Sequence, residues 1–503
     1  MNAPRTAIGV DSGTQSTKVL VVDADSGRVL GRGQAPHAMV PGLEPGQSEQ
    51  DPATWVDALR SALAAALRQA AVDPGRIVAL GVSGQQHGFV PLGDDGIPIR
   101  PAKLWNDTST VAETEEIVAA LGGPAACIEK LGLNLAVGFT ASKILWLKRH
   151  EPVHFARLRT VLLPHNYLNF VMTGEARMEY GDASGTGLLD IRLRRWHEEA
   201  MAAVDEDLSG KLPAVENPIF PAGRMKPGFA AAFGLKDVLV SSGGGDNMMG
   251  AIGTGNVAPG VCTLSLGTSG TIYSYFDRPF SDPRGEIAAF CDSTGGWLPL
   301  LCTMNVTNTT ELWKSVLGLD SDGRDALAAK APAGSEGLLF LPFIDGERVP
   351  PLPGASGVFF GLTRSSFRAE TMTRAVMEGT ILNLGYGFGR LRELGLRPSQ
   401  IRATGGGAKS PFWLGLAADI LGAPVVTLAE AEAAALGAAM QAVWCWRNAR
   451  GEKTAIADLA AAWVRMGEAS AEPDPSRTRL YDERQERFNR LWHTLAPEFS
   501  ARR

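Results

Sequence analysis

Val10-Asp11-Ser12-Gly13-Thr14-Gln15-Ser16-Thr17 and Leu264-Ser265-Leu266-Gly267-Thr268-Ser269-Gly270-Thr271 are the two stretches on which the fold depends. They stand 254 residues apart, about half the length of the chain. In each, a Gly-Thr pair follows an apolar strand-like run and precedes a second one, which predicts a hairpin with Gly-Thr in its turn. A repeat at this spacing indicates two related domains, although the recurrence of one dipeptide, taken alone, is also open to chance.

The boundary between the two predicted domains lies near residues 253–260, where Gly253-Thr254-Gly255 and Pro259-Gly260 supply turn residues. We therefore expect residues 1–252 to form one domain and residues 253–503 to form the other. Strand-like and helix-like segments alternate along both, so the predicted fold class is α/β.

Local signals outside the repeat predict individual helices and strands. Asp51-Pro52 is typical of a helix start, with an N-cap followed by proline at the first helical position. Ile77–Val82 is a strand-like run that ends in a glycine-rich turn. The charged stretch Glu452–Arg503 is predicted to be helical.

Composition excludes several classes of protein. The chain has 503 residues, and its 48 basic and 54 acidic residues leave a net charge of −6, which is unfavourable for a nucleic-acid partner. No signal peptide is expected at the N-terminus, and the longest apolar stretch, Ala433–Trp446, is too short to span a membrane. Five cysteines, odd in number and far apart, are typical of reduced thiols in a cytoplasmic protein.

Three glycine-rich loops are candidates for binding ATP. Glycine lets backbone N–H groups approach phosphates closely, and threonine adds a hydroxyl donor, so the two Gly-Thr turns could hold phosphates from both sides of a cleft. Lys18 adds a cation near the first turn. The third loop, Gly405-Gly406-Gly407-Ala408, could lie against an adenosine, with a simple tight turn as the alternative. It does not form a P-loop, because Ala408 stands where that motif has glycine.

Two aspartates are candidates for the chemistry. Asp11 ends an apolar strand inside the first Gly-Thr stretch and could hold Mg²⁺, with a solvated turn residue as the alternative. Asp246 follows three glycines and precedes an apolar helix. It could be a general base that takes the proton from an attacking hydroxyl, or only the N-cap of that helix.

Two polar clusters suit a polyol. Gln86 and His87 stand in the glycine-bounded segment Ser83–Gly88 and offer several donors and acceptors. Trp105 provides an aromatic face beside Asn106 and Asp107. A purely structural role is the alternative for both clusters.

The motifs together resemble the FGGY family of carbohydrate kinases along nearly the whole chain. The resemblance rests on both Gly-Thr loops, the loop before Asp246 and the adenosine loop, and on two longer signatures. Those signatures are Gly138-Phe139-Thr140-Ala141-Ser142-Lys143-Ile144-Leu145-Trp146-Leu147 and Gly357-Val358-Phe359-Phe360-Gly361-Leu362, the second continuing to Ala375-Val376-Met377-Glu378.

The chain departs from the family pattern at a few positions. Gln86 stands where relatives that phosphorylate xylulose commonly have methionine, and His165-Asn166 stands where they have Lys-Asp. Both departures fall at the expected sugar end of the site. Thr371 stands where the second signature usually has an aliphatic residue.

The resemblance implies two ribonuclease-H-like domains of the actin-like ATPase type around a central cleft, and often a homodimer. It implies ATP and Mg²⁺, with phosphoryl transfer to a sugar hydroxyl. D-xylulose is the expected sugar. The alternatives are ribulose or another ketose or polyol, an actin-like ATPase without a sugar, and a non-enzymatic sugar-binding protein.

The resemblance also assigns residues to roles. Asp246 is the expected base, and Asp11 the residue that holds the metal. The expected sugar contacts are Gln86, His87, Trp105, Asp246 and Asn247. The expected nucleotide contacts are Gly13, Thr14, Gln15, Lys18, Gly267, Thr268, Gly405, Gly406, Gly407 and Ala408.

Overall fold

The computed structural model describes residues 5–500. In the first half of the described residues there are fifteen strands and ten α-helices. The strands are β1 Thr6–Ser12, β2 Ser16–Asp23, β3 Val29–Pro36, β4 Glu49–Gln50, β5 Ile77–Gly84, β6 Val90–Leu92, β7 Ala102–Lys103, β8 Thr160–Leu162, β9 Met178–Glu179, β10 Leu189–Asp190, β11 Arg195–Trp196, β12 Val215–Glu216, β13 Gly223–Arg224, β14 Leu239–Val240 and β15 Gly244–Gly245. The helices are α1 Pro52–Ala70, α2 Val111–Ala120, α3 Pro124–Leu131, α4 Thr140–His150, α5 Pro152–Arg157, α6 Pro164–Thr173, α7 Tyr180–Ala183, α8 Glu198–Ala202, α9 Pro227–Ala231 and α10 Asp246–Gly253.

The second half adds nine strands and seven helices within the described residues. The strands are β16 Val261–Leu266, β17 Gly270–Ser274, β18 Ala288–Cys291, β19 Trp297–Thr303, β20 Leu339–Leu341, β21 Val358–Phe360, β22 Gln400–Thr404, β23 Val425–Leu428 and β24 Met466–Ala471. The helices are α11 Thr307–Leu317, α12 Ser321–Ala328, α13 Ala369–Glu393, α14 Pro411–Leu421, α15 Ala433–Ala449, α16 Ile456–Trp463 and α17 Pro475–Ser500.

Two seven-stranded sheets form the framework, and they repeat one topology. The first has the order β13-β14-β5-β1-β2-β3, with β15 also pairing with β5, and the second has the order β18-β19-β17-β16-β22-β23-β24. β1 pairs antiparallel with β2 and parallel with β5, and β16 pairs antiparallel with β17 and parallel with β22. Each Gly-Thr pair lies in the turn of the first hairpin of its sheet. The predicted α/β fold with a repeated hairpin is therefore confirmed.

Most local predictions hold, because they depended on short-range signals. Helix α1 begins after Asp51, whose side chain accepts a hydrogen bond from the backbone N–H of Ala53 at 2.9 Å. The prediction for Glu452–Arg503 was wrong in one respect. Strand β24 lies between helices α16 and α17 and pairs antiparallel with β23 at the edge of the second sheet. Its sequence, Met-Gly-Glu-Ala-Ser-Ala, has no strand-like apolar alternation to mark it.

Helix α15 belongs to the second half of the sequence and packs against the sheet of the first half. A Cβ on Gly9 of β1 would lie 1.8 Å from the carbonyl oxygen of Ala435, and one on Gly81 of β5 would lie 2.1 Å from that of Ala438. These strands and the helix approach each other through glycine and alanine, which leave room for backbone contact. The strands of the two sheets fall on either side of residue 253, but the division at 252/253 stays a prediction.

Helices α10 and α15 cross at a pair of glycines. A Cβ on Gly437 would lie 1.9 Å from the carbonyl oxygen of Met249, and one on Gly253 would lie 1.8 Å from that of Ala433. Helix α10 begins at Asp246. The crossing therefore fixes the helix that carries the candidate base against a helix from the other half of the chain.

All five cysteines are free thiols, and four of them are buried. Across residues 5–500 no helix is long and apolar enough to cross a lipid bilayer.

Candidate active site

A cavity of about 320 Å³ is lined by residues from both halves of the chain. All five predicted sugar contacts line it: Gln86, His87, Trp105, Asp246 and Asn247. From the second half, Ser265, Ser269 and Thr271 of the β16–β17 hairpin also line it. The cavity thus places the sugar candidates next to the second Gly-Thr hairpin, although these groups are far apart in the sequence.

Asp246 is the first residue of helix α10, and the N-cap position belongs to Gly245. The simple N-cap interpretation is therefore wrong. Its Oδ1 accepts hydrogen bonds from the backbone N–H and the side-chain amide of Asn247 at 2.8 and 3.0 Å. Burial, together with the nearby carboxylates of Asp11 and Asp182, raises the pKa of Asp246 to about 7. A carboxylate with a pKa near neutrality is suited to general base catalysis.

Asp11 lies within strand β1 and is half-buried, so it is not a solvated turn residue. Its Oδ1 accepts a hydrogen bond from Ser83 Oγ at 2.8 Å. Burial raises its pKa, while the hydrogen bond from Ser83 and the charge of Lys18 oppose that rise. Lys18 itself forms an ion pair with Glu432 at 2.7 Å. The predicted phosphate-binding cation is thus already paired with a carboxylate from the second half of the chain.

Gln86 follows strand β5 of the first sheet and contacts the start of helix α10. Its Oε1 accepts a hydrogen bond from Asn247 Nδ2 at 2.6 Å, and its Nε2 lies 3.2 Å from Met248 Sδ. The amide that departs from the family pattern therefore orients Asn247 beside Asp246. Methionine at position 86 could offer Asn247 only a thioether sulfur, which is a weaker acceptor than the amide oxygen.

His87 is held between aromatic rings at the end of β5. Its ring centroid lies 4.7 Å from that of Phe139 and 5.5 Å from that of Phe290. Its backbone has a left-handed φ of 59°. Burial and the nearby charge of Lys143 lower the pKa of His87 to about 3, so the ring is neutral at physiological pH. A neutral imidazole can donate one hydrogen bond and accept another, which suits a sugar hydroxyl.

Trp105 reaches the cavity, whereas its two polar neighbours do not line it. Asp107 is buried and pairs with Lys103 at 3.1 Å, and Asn106 Oδ1 accepts a hydrogen bond from Ser48 Oγ at 2.7 Å. The predicted cluster is therefore reduced to the indole. Trp105 Nε1 donates to Thr14 Oγ1 at 3.1 Å. This bond ties the first Gly-Thr turn to the wall of the cavity.

The nucleotide candidates lie outside the cavity lining, and those of the second half of the chain converge on one place. A Cβ on Gly405 would lie 2.7 Å from the carbonyl oxygen of Leu266, and one on Gly407 would lie 2.8 Å from Leu266 Cβ. Leu266 immediately precedes Gly267 and Thr268. The third glycine-rich loop is therefore packed on the second Gly-Thr hairpin. On the other loop Gly13 N–H donates to Ser16 O at 3.1 Å, and Gln15 is exposed.

The loop before Asp246 is held by a buried glutamine of helix α15. Gln441 Oε1 accepts hydrogen bonds from Ser241 Oγ and from Gly243 N–H at 2.8 and 2.9 Å. Gln441 Nε2 donates to Gly243 O at 2.9 Å and to Ser293 O at 3.3 Å. This residue was not expected to matter from the sequence, because it stands in an otherwise apolar helix.

His165-Asn166 does not line the cavity, although sequence comparison had pointed to the sugar end of the site. His165 is buried, with Nδ1 2.9 Å from Asp182 Oδ2 and Nε2 2.8 Å from Asn166 Nδ2. The pair acts on the site only indirectly, since the charge of Asp182 raises the pKa of Asp246.

Several lining residues were missed by residue-by-residue interpretation. Phe139 and Phe290 form the aromatic wall, and Arg348 is a cation at the cavity surface. Phe139 stands inside the first signature, so its position could have been inferred. Phe290 and Arg348 belong to no motif that was interpreted.

Comparison with known proteins agrees with this geometry. The N-terminal domain model of the FGGY family of carbohydrate kinases matches residues 6–253, and the C-terminal domain model matches residues 285–446. A xylulose kinase of Haemophilus influenzae is 43% identical over 489 residues, covering 96% of this chain and 98% of the relative.

Two crystal structures from Lactobacillus acidophilus are similar over 99% of this chain. A ligand-bound xylulose kinase has a TM-score of 0.91 at 26% identity, covered over 99% of its length. A gluconate kinase has a TM-score of 0.91 at 25% identity, covered over 100% of its length. The same fold thus serves kinases of different sugars.

The two repeated sheets have the topology of an actin-like ATPase. Together with the matches to known proteins, this fold defines a sugar kinase. Since both domain models and near full-length relatives match, the chain belongs to the FGGY family of carbohydrate kinases.

Proposed function

We propose that this kinase transfers the γ-phosphoryl group of Mg·ATP to the terminal hydroxyl of D-xylulose, giving D-xylulose 5-phosphate. The observation that carries the proposal is Asp246, whose pKa is raised to about 7 in a cavity lined by both the sugar candidates and the β16–β17 hairpin. The choice of sugar is supported by the xylulose kinase that matches over nearly the whole chain.

In this mechanism Asp246 accepts the proton of the attacking hydroxyl. The hydroxyl oxygen forms a bond to the γ-phosphorus, and the bond from that phosphorus to the bridging oxygen of ADP breaks. Gln86 holds Asn247 at 2.6 Å, so Asn247 and Asp246 present a fixed pair to the sugar. Alignment and neutralisation of charge supply most of the catalysis in phosphoryl transfer. Neutral His87 and the Trp105 indole would orient the remaining hydroxyls.

The residues present fit Mg²⁺. Magnesium is usually held by one or two carboxylates and by substrate phosphates, not by a dedicated protein cage. Residues 5–500 contain no group of three or more His, Cys, Asp and Glu side chains that could hold a metal alone, but Asp11 and Asp246 lie within electrostatic range of each other. Asp11 would hold the ion, which when bound neutralises phosphate charge.

The glycine-rich loops fit ATP. Gly406 has no atom within 4 Å of the place of a Cβ, and Gly13 has only Ser16 O at 3.9 Å, so both present open backbone. Gly13, Thr14 and Gln15 would contact phosphates from the first half, and Gly267 and Thr268 from the second. Gly405, Gly406, Gly407 and Ala408 would contact the adenosine. Lys18 would have to leave Glu432 or act beside it.

The substrate is tested by kcat/KM for D-xylulose, D-ribulose, L-ribulose, D-gluconate and glycerol. D-xylulose is expected to exceed the others by about 10²-fold or more, because a site built to hydrogen-bond a given hydroxyl penalises analogues that leave its polar groups unpaired. A higher kcat/KM for any other acceptor would reject D-xylulose and leave the kinase assignment intact.

The same panel applied to two variants separates specificity from turnover. His87→Ala should lower kcat/KM for every sugar, because His87 lies between the aromatic wall and the cavity. Gln86→Met should hold or raise the preference for D-xylulose. It should also lower kcat for D-xylulose, since Asn247 loses the amide oxygen of Gln86 as an acceptor. If His87→Ala instead changed the order of preference among the sugars, His87 would determine substrate specificity.

The pKa of Asp246 gives a pH-dependent prediction. The active base is the carboxylate, so kcat/KM at subsaturating sugar and nucleotide should rise with pH and level off above about 7. Asp11→Asn removes a negative charge that raises this pKa, so the rise should move to lower pH even though the rate falls. Profiles from about pH 5.5 to 9 for both proteins are the measurement. A flat wild-type profile over that range would contradict the assignment.

We further propose that the protein works in the cytoplasm as a homodimer. The five free thiols suit a reducing compartment, and the family resemblance suggests the dimer. Neither a nucleic acid nor a membrane is proposed as a partner.

A further inference from the structure

Arg348 is the cation of the cavity. Among the described residues that line it, Arg348 is the one lysine or arginine, and the lining also includes Asp246 and Glu286. Glu286 is already engaged, with Tyr386 Oη at 2.6 Å and Arg390 Nε at 3.0 Å. The guanidinium of Arg348 forms no ion pair with a carboxylate within 4 Å in residues 5–500, and the residue is exposed.

Hydrogen bonds hold the backbone of Arg348 in place, whereas its side chain is exposed. Its N–H donates to the carboxylate of buried Glu347 at 2.7 Å. The same carboxylate accepts hydrogen bonds from Met304 N–H at 2.7 Å and from Asn383 Nδ2 at 2.8 Å. The constrained backbone fixes the position from which the Arg348 side chain extends, so a ligand has only the side-chain rotamers to order.

A row of neighbouring residues leads from the second Gly-Thr hairpin to Arg348. Ser265 pairs with Thr271 across β16–β17, and Thr271 pairs with Cys302 across β17–β19. Arg348 Nη1 lies 3.7 Å from Cys302 Sγ at the end of this row. All four residues line the cavity.

The row also brings Arg348 near the base. Burial raises the pKa of the Cys302 thiol, the charge of Arg348 opposes that rise and the charge of Asp246 adds to it. Both groups are therefore within electrostatic range of one sulfur atom. The Arg348 guanidinium thus ends a row of cavity-lining residues that starts at the second Gly-Thr hairpin, and Asp246 lines the same cavity.

We propose that Arg348 binds the phosphoryl group on its acceptor side, both during transfer and as the ester phosphate of the product. The assignment rests on the proposed kinase function and adds to it a catalytic residue and a product-phosphate site. Guanidinium suits this role because its planar fork matches phosphate oxygens.

The test compares Arg348→Gln and Arg348→Lys with the wild type, and uses Arg490→Gln as a control because Arg490 is an exposed residue of helix α17 that does not line the cavity. For Arg348→Gln we expect kcat to fall by about 10²–10³-fold, as for loss of one donor to a developing charge. Arg348→Lys should retain part of kcat, and the control should keep all of it. The thermal midpoint should stay unchanged in all three, since the Arg348 side chain contacts only Cys302 Sγ in the described hydrogen bonds.

Direct titration supplies a readout independent of turnover. Arg348→Gln should bind D-xylulose 5-phosphate about 10- to 100-fold more weakly than the wild type, as for loss of a charged hydrogen bond, and D-xylulose within about threefold. Equal affinity of wild type and variant for the phosphate ester would overturn the proposal. So would an equal loss for the unphosphorylated sugar, which would make Arg348 a sugar contact.

The outcomes distinguish this inference from the proposed function. If another sugar has the highest kcat/KM, its phosphate ester replaces D-xylulose 5-phosphate in the titration. Weaker binding of that ester alone by Arg348→Gln would still support the proposed role of Arg348. If the wild type turns over D-xylulose but binds no sugar phosphate, the proposed function stands and the product-phosphate role of Arg348 is overturned. If Arg348→Gln does not fold, the selective weakening of the ester by Arg348→Lys, which keeps the charge and loses the fork, decides the point.

Discussion

Asp246→Asn is expected to lower kcat by about 10²–10⁴-fold while sugar binding stays near that of the wild type. The change removes the base and little else, because an asparagine Oδ1 can still accept the hydrogen bond that Asp246 accepts from Asn247 N–H. Initial rates and direct sugar titration are the measurements. A kcat within about fivefold of the wild type would exclude Asp246 as the base.

The same variant should be more stable at high pH. The pKa of Asp246 is raised in the folded protein, so its contribution to stability is complete below the unfolded-state pKa of about 4 and is lost as pH rises from there through about 7. Asparagine carries no charge to bury, so we expect Asp246→Asn to gain about 1–4 kcal/mol relative to the wild type at pH 8 and about a third of that gain at pH 5. Asp73→Asn is the matched control, because Asp73 caps a short 3-10 helix at the surface and asparagine can replace it there. Equal unfolding curves for Asp246→Asn and wild type at both pH values would contradict the raised pKa.

Gly437→Ala is expected to destabilise the protein by about 3 kcal/mol or more and to lower activity with it. The new methyl group would lie 1.9 Å from the carbonyl oxygen of Met249 and 2.7 Å from the nitrogen of Gly253, both backbone atoms that no rotamer change can move. Helices α10 and α15 must then separate, and Asp246 at the start of α10 moves with its helix. Denaturant unfolding and kcat on the surviving folded protein measure the two effects.

Gly389→Ala provides the matched control for this prediction. Gly389 also lies inside a helix, α13, but nothing stands within 4 Å of the place of its Cβ. Alanine there should stabilise by about 0.5–1 kcal/mol, since glycine has more conformational freedom to lose in a helix. If both variants changed stability alike, helix propensity and not the crossing would control position 437.

Much of the framework was predictable because its signals are short-range. Asp51-Pro52 marks the start of α1 through a side-chain cap and a fixed proline φ, and the Gly-Thr pairs mark two hairpin turns. Strand β24 was not predictable in this way. Exposure alternates along this edge strand, but its half-buried positions hold only glycine and alanine, which give no strong apolar signal.

The site was predictable as to residue types but not as to partners. Asp246, Gln86 and His87 stood out because polar groups between glycines are unusual at the end of an apolar strand. Lys18 also stood out, but its ion pair with Glu432 joins residues 414 positions apart. No local rule could anticipate that pairing.

The amino-acid order alone predicted two hairpin-bearing α/β domains, three glycine-rich loops and an aspartate suited to be a base, because turns, caps and strand ends depend on neighbours a few residues away. Long-range packing decided the rest: Gln441 clasps the loop before Asp246, helix α15 covers the sheet of the other half, and Arg348 faces the cavity. The contact of helix α15 with the first sheet arises where the two backbones approach through glycine and alanine. A contact of that kind depends on the complementary shape of two distant surfaces, which no single stretch of sequence records.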